Sequence, residues 1–540
     1  MNVLVPLPIV LPLLAAGLSV LLARHPWAQR ALSLVVLAGV VAASVALLVR
    51  VDAEGTTAVQ VGAWAAPFGI SLVADRLAAL LLVTSTVVAL AVLVYAIGQG
   101  IADGRVSGTS RLPVAVFHPV YLVLVAGVAM AFLTGDLFNL FVAFEVFLCA
   151  SYVLITLSGG AAQVRAGMTY VTVSLLASVL FVTVIGLLYA ATGTVNMADL
   201  AVRLQDTPPG LRLALGLFLL VVFGIKAAIF PLFTWLPDSY PTAPSPVTAV
   251  FAGLLTKVGV YAIIRTQTLL FPEELGGTTA RVLLVIAALT MVVGILGAIA
   301  QDDVKRILSF TIVSHIGYMI FGLGLYTAAG LTGAILYTVH HIVVQTTLFL
   351  VSGLVERRSG TGALHELSGL QHVAPLTAVL FLLPALNLAG IPPFSGFFAK
   401  LALVQAGVAD GSGIAYALVA VSIATSLLTL YAMVRIWGGA FWGPVAAPVA
   451  DPDPTDTLAV GTATVPRTMT AVTALTVVGG VVGLVLAAGP LYGVSARAAD
   501  DLVARTPYTT AVLGDAGLAA RPGQPRTDRA PVATAGGGSR

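Results

Sequence analysis

The stretch KAAIFPLFTWLP, residues 226–237, places a lysine in an apolar run and follows it with two prolines. Because proline removes a backbone donor and interrupts helices, a membrane-spanning helix is expected to break here. The stretch GIPPFSGFFAK, residues 390–400, repeats the arrangement with Lys400. Broken helices in corresponding positions of two halves are typical of an inverted-repeat transporter site, since lipid cannot satisfy the freed backbone groups. The alternative is that prolines merely kink two ordinary helices.

The composition around these stretches is that of a polytopic membrane protein. Of 540 residues, 59% are hydrophobic and only 9% are charged, whereas an ordinary soluble domain carries about 25% charged residues. The single cysteine, Cys149, lies in an apolar run. It excludes a disulfide framework and a cysteine-ligated metal or iron–sulfur centre built by this chain alone. We therefore expect no cofactor and no metal site, and the net charge of +3 gives no reason to expect nucleic-acid binding.

A spanning helix needs about 20 apolar residues, and the sequence predicts fourteen such segments in an all-α fold. Their approximate spans are 3–23, 31–50, 76–98, 113–134, 136–157, 166–190, 211–236, 245–268, 281–300, 306–327, 330–354, 373–409, 413–442 and 468–489. Segments 7 and 12 are the two expected to be discontinuous.

The expected organisation places the two halves in the middle of the chain. The predicted units are 1–110 with helices 1–3, 111–270 as a first repeat with helices 4–8, 279–442 as a second repeat with helices 9–13, an inner loop at 443–467, helix 14 at 468–489 and a flexible tail at 490–540. The tail is inferred from its polar composition, with Pro522, Gly523 and Pro525.

The basic residues predict the orientation. With an outside N-terminus, eleven lie on the inner side: Arg24, Arg30, Arg105, Arg111, Arg165, Lys305, Arg306, Arg357, Arg358, Arg435 and Arg467. Six lie on the outer side: Arg50, Arg76, Arg203, Arg212, Arg265 and Arg281. The positive-inside bias therefore favours an outside N-terminus. An even number of segments then puts both termini outside, and the expected location is the cell membrane.

Lysine usage is the most informative feature of the chain. There are 22 arginines but four lysines, and Lys226, Lys257 and Lys400 fall inside apolar segments. A cation near the bilayer centre costs at least about 2.5–3.5 kcal/mol. Arginine practically never deprotonates, whereas a desolvated lysine can. The pattern favours lysines that release protons; the alternative is that each reaches the interface or forms a structural ion pair.

One carboxylate, Glu145, is predicted at the middle of a span. A buried carboxylate alone would be forced neutral, and a nearby lysine would stabilise its charged form. Glu145 and Lys226 are therefore candidates for a coupled pair that titrates as a unit. Asp136 stands at the start of the same segment, where we expect it to cap the helix or face the interface; the alternative is a role in the ion pathway.

Three histidines, His315, His340 and His341, fall in segments 10 and 11. An imidazole titrates near neutrality and can pass a proton between its two nitrogens. Adjacent helical residues point about 100° apart, so His340 and His341 cannot both face one channel. A lone histidine in such a place can also be a hydrogen-bonded packing residue.

Four motifs occur in order along the chain: KAAIFPLFTWLPDSYPTAPSPVTAV at 226–250, LLTKVGVY at 254–261, DVKRIL at 303–308 with SHIG at 314–317, and GIPPFSGF at 390–397. Together they resemble the proton-translocating antiporter-like subunits shared by respiratory complex I and the Mrp multisubunit sodium/proton antiporters. The resemblance covers about residues 75–440. It implies fourteen helices with two inverted five-helix repeats and a charged axis across the membrane centre.

The resemblance also implies roles for individual residues. Glu145 and Lys226 would form the coupling pair, and Lys257 would be the next relay. The histidines of helix eleven would continue the path, and Lys400 would be the terminal proton site. The run GDLFNLFVAFE at 135–145 is similar to the D subunit of Mrp antiporters, as is a lysine at position 400. Gln345 stands where some members carry lysine, and it cannot titrate. The relay between Lys257 and Lys400 would then depend on the histidines.

The sequence thus predicts a non-enzymatic subunit of a sodium/proton antiporter, which moves protons inward along Glu145, Lys226, Lys257, His315, His340, His341 and Lys400 while a monovalent cation leaves. Its expected partners are other Mrp antiporter subunits in the bilayer. A second hypothesis is a proton-pumping subunit of a complex I type oxidoreductase or membrane hydrogenase. A third is a structural scaffold, in which neutral substitutions of the lysines would leave transport intact.

Overall fold

The computed structural model describes residues 2–103, 116–157, 159–445 and 464–519. Arg105 and Arg111, which contribute to the predicted orientation, lie outside the described residues. So do most of the predicted inner loop, residues 446–463, and the end of the predicted tail, residues 520–540.

The described chain is almost entirely helical, with one hairpin near its start. The first helices are α1 (Leu7–Leu21), α2 (Pro26–Glu54) and α3 (Arg76–Gln99). Strands β1 (Thr57–Gln60) and β2 (Ser71–Ala74) connect α2 to α3 as an antiparallel pair.

Among its described residues, the region of the first predicted repeat contains eight α-helices and a π-helical turn, Phe251–Leu255. The helices are α4 (Phe117–Leu133), α5 (Leu137–Ile155), α6 (Ala161–Thr192), α7 (Met197–Arg203), α8 (Pro209–Ala227), α9 (Trp235–Ser239), α10 (Ser245–Val250) and α11 (Thr256–Leu270). The π-helical turn joins α10 to α11 without a break.

The described residues of the second predicted repeat also form α-helices and a π-helical turn. Its helices are α12 (Pro272–Leu275), α13 (Thr278–Ile299), α14 (Val304–Gly324), α15 (Ala328–Ser359), α16 (Leu370–Val373), α17 (Pro375–Ala389), α18 (Ser395–Asp410) and α19 (Gly413–Ile436). A second π-helical turn, Trp437–Phe441, continues α19.

The C-terminal region corrects the sequence prediction. After α20 (Arg467–Val478) come a π-helical turn (Gly479–Gly483), α21 (Leu484–Leu486), α22 (Ala488–Ala504) and α23 (Thr506–Ala519). The prediction of a flexible tail is therefore wrong for residues 490–519. The reason is tertiary: the Arg505 guanidinium donates to the carbonyls of Leu269 and Ala201 at 3.1 and 3.0 Å, and Tyr508 lies buried against Arg265.

Eleven helices of the described chain are long and apolar enough to cross a membrane. Three shorter apolar helices, α1, α4 and α17, occupy the positions of three other predicted segments. The protein is thus a multi-pass membrane protein with mostly helical structure. The count of fourteen crossings stays a prediction.

Glycines allow the central helices to approach closely. Gly294 on α13 faces the backbone of Ser314 on α14, and Gly259 on α11 faces the backbone of Ala227, so that a Cβ at either glycine would overlap the neighbour. Small residues at such crossings give membrane helices their van der Waals contact. The second contact brings the end of α8 against the helix that carries Lys257.

Both predicted breaks are present as interruptions between helices. Helix α8 ends at Ala227, Ala228 adopts a left-handed conformation with φ +60°, and the next helix begins at Trp235. Helix α17 ends at Ala389, Gly390 has φ +87°, and α18 begins at Ser395. The last carbonyls of a helix have no partner within it and are available to donors from elsewhere.

Candidate functional site: buried lysines and histidines at the helix breaks

The three intramembrane lysines are buried inside the protein. The exposed fraction is 7% for Lys226, 0% for Lys257 and 8% for Lys400. Each of these ammonium groups donates to oxygen atoms of the protein. Lys305, the fourth lysine, differs because its ammonium forms an ion pair with Glu356 at 2.8 Å.

Lys226 and Glu145 are connected through a serine. The Lys226 ammonium donates to Ser178 Oγ at 3.0 Å and to the Ser174 carbonyl at 3.3 Å. The Ser178 hydroxyl in turn donates to Glu145 Oε1. The Phe144 ring lies 5.4 Å from the Lys226 nitrogen. The predicted pair is therefore close in space, but it is bridged by a hydroxyl rather than joined by a direct ion pair.

Lys257 lies beside the first π-helical turn. Its ammonium donates to the Ala252 carbonyl within that turn. A π-helical turn shifts the backbone hydrogen-bond ladder, which is why such turns occur at functional sites. Within the described residues no ion pair involves Lys257, so a backbone carbonyl is the acceptor that solvates it. The ammonium is close enough to His315 and His341 for electrostatic interaction.

The two adjacent histidines face different surroundings. The His341 ring centroid lies 5.3 Å from that of His315, and both His341 nitrogens are buried without a hydrogen-bond partner among the described residues. His340 Nδ1 is 2.9 Å from Ser395 Oγ at the start of α18. His341 therefore lies on the side of Lys257 and His315, and His340 on the side of the second break.

His315 is held by two hydroxyl groups. Its Nδ1 is 2.7 Å from the Tyr337 hydroxyl and its Nε2 is 3.3 Å from Thr429 Oγ1. Tyr337 in turn stacks on Tyr318, with ring centroids 5.0 Å apart. Both ring nitrogens thus have hydroxyl partners through which a proton can enter or leave the imidazole.

The Lys400 ammonium occupies the end of the broken helix α17. It donates to the carbonyls of Leu388 and Ala389 at 3.0 and 2.9 Å and to Ser426 Oγ at 2.9 Å. These carbonyls are the unsatisfied helix-end groups, where a cation is favourable. The Tyr318 ring lies 5.1 Å from the nitrogen, and a cavity of about 310 Å³ adjoins the site.

The two other polar residues of the prediction have structural contacts. Asp136 caps α5 by accepting from the Asn139 amide at 2.9 Å, as expected. Gln345 donates through Nε2 to the Leu308 carbonyl at 2.8 Å and to Thr311 Oγ1 at 3.3 Å. Both acceptors belong to α14, so Gln345 ties α15 to its neighbour.

We expect Gln345→Leu to reduce proton flux only partially. The substitution removes hydrogen bonds worth about 1 kcal/mol each and no titratable group. Flux is measured in vesicles containing the complete complex, with complex abundance as the control. A complete loss of flux at normal abundance would contradict this expectation, because it would make the amide an obligatory part of the proton path.

Sequence reasoning missed the hydroxyl groups that join these residues. Ser178, Tyr337 and Ser426 contact Glu145, His315 and Lys400 respectively, and none of the three was singled out. The only sequence signal at Ser178 is its spacing of four from Ser174 within an apolar helix, which places both on one face. That spacing does not reveal which residues of other helices lie opposite.

The described residues contain no cluster of three or more His, Cys, Asp or Glu side chains that could hold a metal ion. What the arrangement can do is move protons. It offers amines, imidazoles, hydroxyls and one carboxylate in a low-dielectric interior, where ionisable groups mark proton relays.

Residues 134–429 match the family model described as NADH:quinone oxidoreductase/Mrp antiporter, TM. The chain therefore belongs to this family of membrane subunits. It is 42% identical over 95% of its length to the whole of the D subunit of a Na(+)/H(+) antiporter from Alkalihalophilus pseudofirmus. It is also 39% identical to the D subunit of a Na(+)/H(+) antiporter from Bacillus subtilis, over 82% of this chain and 88% of that protein.

Solved structures agree with the fold. A chain of the Mrp complex from Dietzia sp. DQ12-45-1b superposes with a TM-score of 0.84 at 33% identity, covering 95% of this chain and all of that chain. A chain of an archaeal membrane-bound sulfane sulfur reductase superposes with a TM-score of 0.81 at 24% identity, with the same coverage of both chains. The second likeness concerns the fold alone.

Proposed function

We propose that this chain is the proton-translocating membrane subunit of a multisubunit sodium/proton antiporter. The relatives named above are antiporter subunits, which favours this function over a pumping subunit of an oxidoreductase. The observation that carries the proposal is the burial of three lysines that lack direct carboxylate partners among the described residues, two of them at helix breaks. A permanent cation at such positions has to be solvated by the protein, whereas an amine that alternates between charge states can carry a proton through them.

The proposed proton path begins at Glu145 and Lys226 and continues through Lys257. It passes His341 and His315 and ends at Lys400, with His340 beside the second break. Contacts between neighbouring groups support this order. The ring centroids of His315 and His341 are 5.3 Å apart, and the Tyr318 ring lies against both His315 and Lys400. Where no side chain bridges two groups, the proposal assigns water as the carrier, and both nitrogens of His341, which have no partner among the described residues, are available to it.

The membrane arrangement completes the proposal. The chain lies in the plasma membrane with both termini outside, and residues 111–270 and 279–442 form inverted repeats around the path. Protons move inward as sodium or another monovalent cation leaves. The partners are the other subunits of an Mrp-type complex, and the chain contributes proton transfer rather than covalent chemistry.

The test is cation-driven proton flux in vesicles that carry this chain with and without the products of its neighbouring genes. In vesicles that carry all the gene products, a sodium gradient should drive protons in the direction opposite to sodium. Repeating the measurement with a potassium gradient gives the cation selectivity. Proton flux that is the same with and without a monovalent-cation gradient would contradict the antiport function. A complex that couples proton flux to electron transfer would favour the oxidoreductase hypothesis.

A further inference from the structure

The Ser178 hydroxyl occupies the only hydrogen-bonded connection between Lys226 and Glu145 within the described residues. It lies on α6, whereas Glu145 lies on α5 and Lys226 in the last turn of α8. Ser178 is itself buried, with 6% of its surface exposed. Three separate helices thus meet at one hydroxyl group.

We propose that Ser178 passes the proton between Lys226 and Glu145. This inference rests on the proposed function, and it assigns a residue that sequence reasoning did not select. A hydroxyl is suited to the task because it donates one proton and accepts at two lone pairs. The Lys226 nitrogen is 3.0 Å from Ser178 Oγ, which is within the reach that proton transfer requires.

The step balances without a co-reactant. An N–H bond of the Lys226 ammonium breaks as an O–H bond forms on Ser178. The original Ser178 O–H bond breaks as an O–H bond forms on Glu145 Oε1. An ammonium and a carboxylate become a neutral amine and a neutral carboxylic acid, and the serine is regenerated with its hydrogen on the lysine side.

The surroundings favour this exchange. Lys226 is buried, with the Phe144 ring 5.4 Å from its nitrogen, so transfer of a proton from its ammonium to Glu145 costs less free energy than it would in water. The Ser174 carbonyl, 3.0 Å from Ser178 Oγ, offers a second acceptor for the same hydroxyl. When the hydroxyl rotates about the Cβ–Oγ bond towards Ser174, its hydrogen bond to Glu145 is broken. Rotation back restores that hydrogen bond.

The decisive variants are Ser178→Ala and Ser178→Thr in the complete complex. Ser178→Ala should lower sodium-driven proton flux by about tenfold or more, and Ser178→Thr, which keeps the hydroxyl, should restore it to within about twofold of the wild type. Thr183→Val is the matched control, because it removes a hydroxyl from the exposed side of the same helix, where the group bonds its own backbone at 2.7 Å. That control should retain wild-type flux.

A spectroscopic readout separates proton transfer from packing. The infrared carbonyl band of protonated Glu145, assigned by its loss in Glu145→Gln, should shift in Ser178→Ala and return in Ser178→Thr. Unchanged flux and an unchanged band in Ser178→Ala would overturn the inference. Loss of flux in both serine variants with an unchanged band would also overturn it, because the defect would then lie in packing.

The same experiment distinguishes failure of this inference from failure of the proposed function. If Glu145→Gln abolishes proton flux and Ser178→Ala does not, only the role of Ser178 is wrong. If Glu145→Gln retains full proton-coupled cation transport, the proposed relay fails as a whole.

Discussion

We expect Lys226→Ala and Glu145→Ala each to lower proton-coupled sodium efflux by at least about 100-fold while the assembled complex still purifies. Lysine to alanine removes the amine at the end of α8, and glutamate to alanine removes the carboxylate to which the Ser178 hydroxyl donates. Neither loss can be compensated by the remaining partner. A buried charge without its counterpart is neutralised or hydrated instead of exchanging protons.

Complex abundance has to be measured beside transport, because removing one partner of a buried pair also costs stability. Cys149→Ala is a suitable control variant, because Cys149 lies one helical turn beyond Glu145 on the exposed side of α5. It should transport normally. Full efflux in Lys226→Ala or Glu145→Ala vesicles, at wild-type abundance, would refute the coupled pair.

The second large effect is expected at Lys400, where Lys400→Arg should inactivate transport although it keeps the charge. The guanidinium does not release its proton in proteins. The site is also shaped for an ammonium, with the Leu388 and Ala389 carbonyls and Ser426 Oγ all accepting from one nitrogen. We expect a loss of about 100-fold or more in proton flux.

Lys305→Arg is the matched comparison, since it makes the same substitution at a lysine that is ion-paired with Glu356. Arginine preserves that ion pair, and the variant should keep most of its activity. A Lys400→Arg complex that transports as well as Lys305→Arg would show that charge alone suffices at the second break.

The lysine burial and the helix breaks were predictable because both leave strong local signals. A cation in an apolar run is expensive, and Pro231 and the pair Pro392–Pro393 cannot continue a regular helix. The structure agrees on both points, with the interruptions at Ala228 and Gly390. Asp136 was predictable in the same way, because helix capping is a local interaction.

The contacts between helices were not predictable from one sequence. Serine and threonine hydroxyls in membrane helices commonly donate to a backbone carbonyl of the same helix, as Thr183 does to Val179. The sequence at Ser178 therefore does not indicate its hydrogen bond to Glu145. The sequence also left open which side His340 and His341 face, since that depends on the packing of α14 and α18 around α15. The C-terminal helices were missed because their anchors, Arg505 and Tyr508, contact residues more than 200 positions away.

The central claim is that the buried lysines alternate between ammonium and neutral amine. It is tested most directly by nitrogen NMR of a complex in which only this chain carries ¹⁵Nζ-labelled lysine. The chain has four lysines, and Lys305, whose ammonium is ion-paired with Glu356, serves as the internal reference signal. We expect the signals of Lys226, Lys257 and Lys400 to change between the two forms over that range. Four permanently charged ammonium signals in a transporting complex would contradict the account.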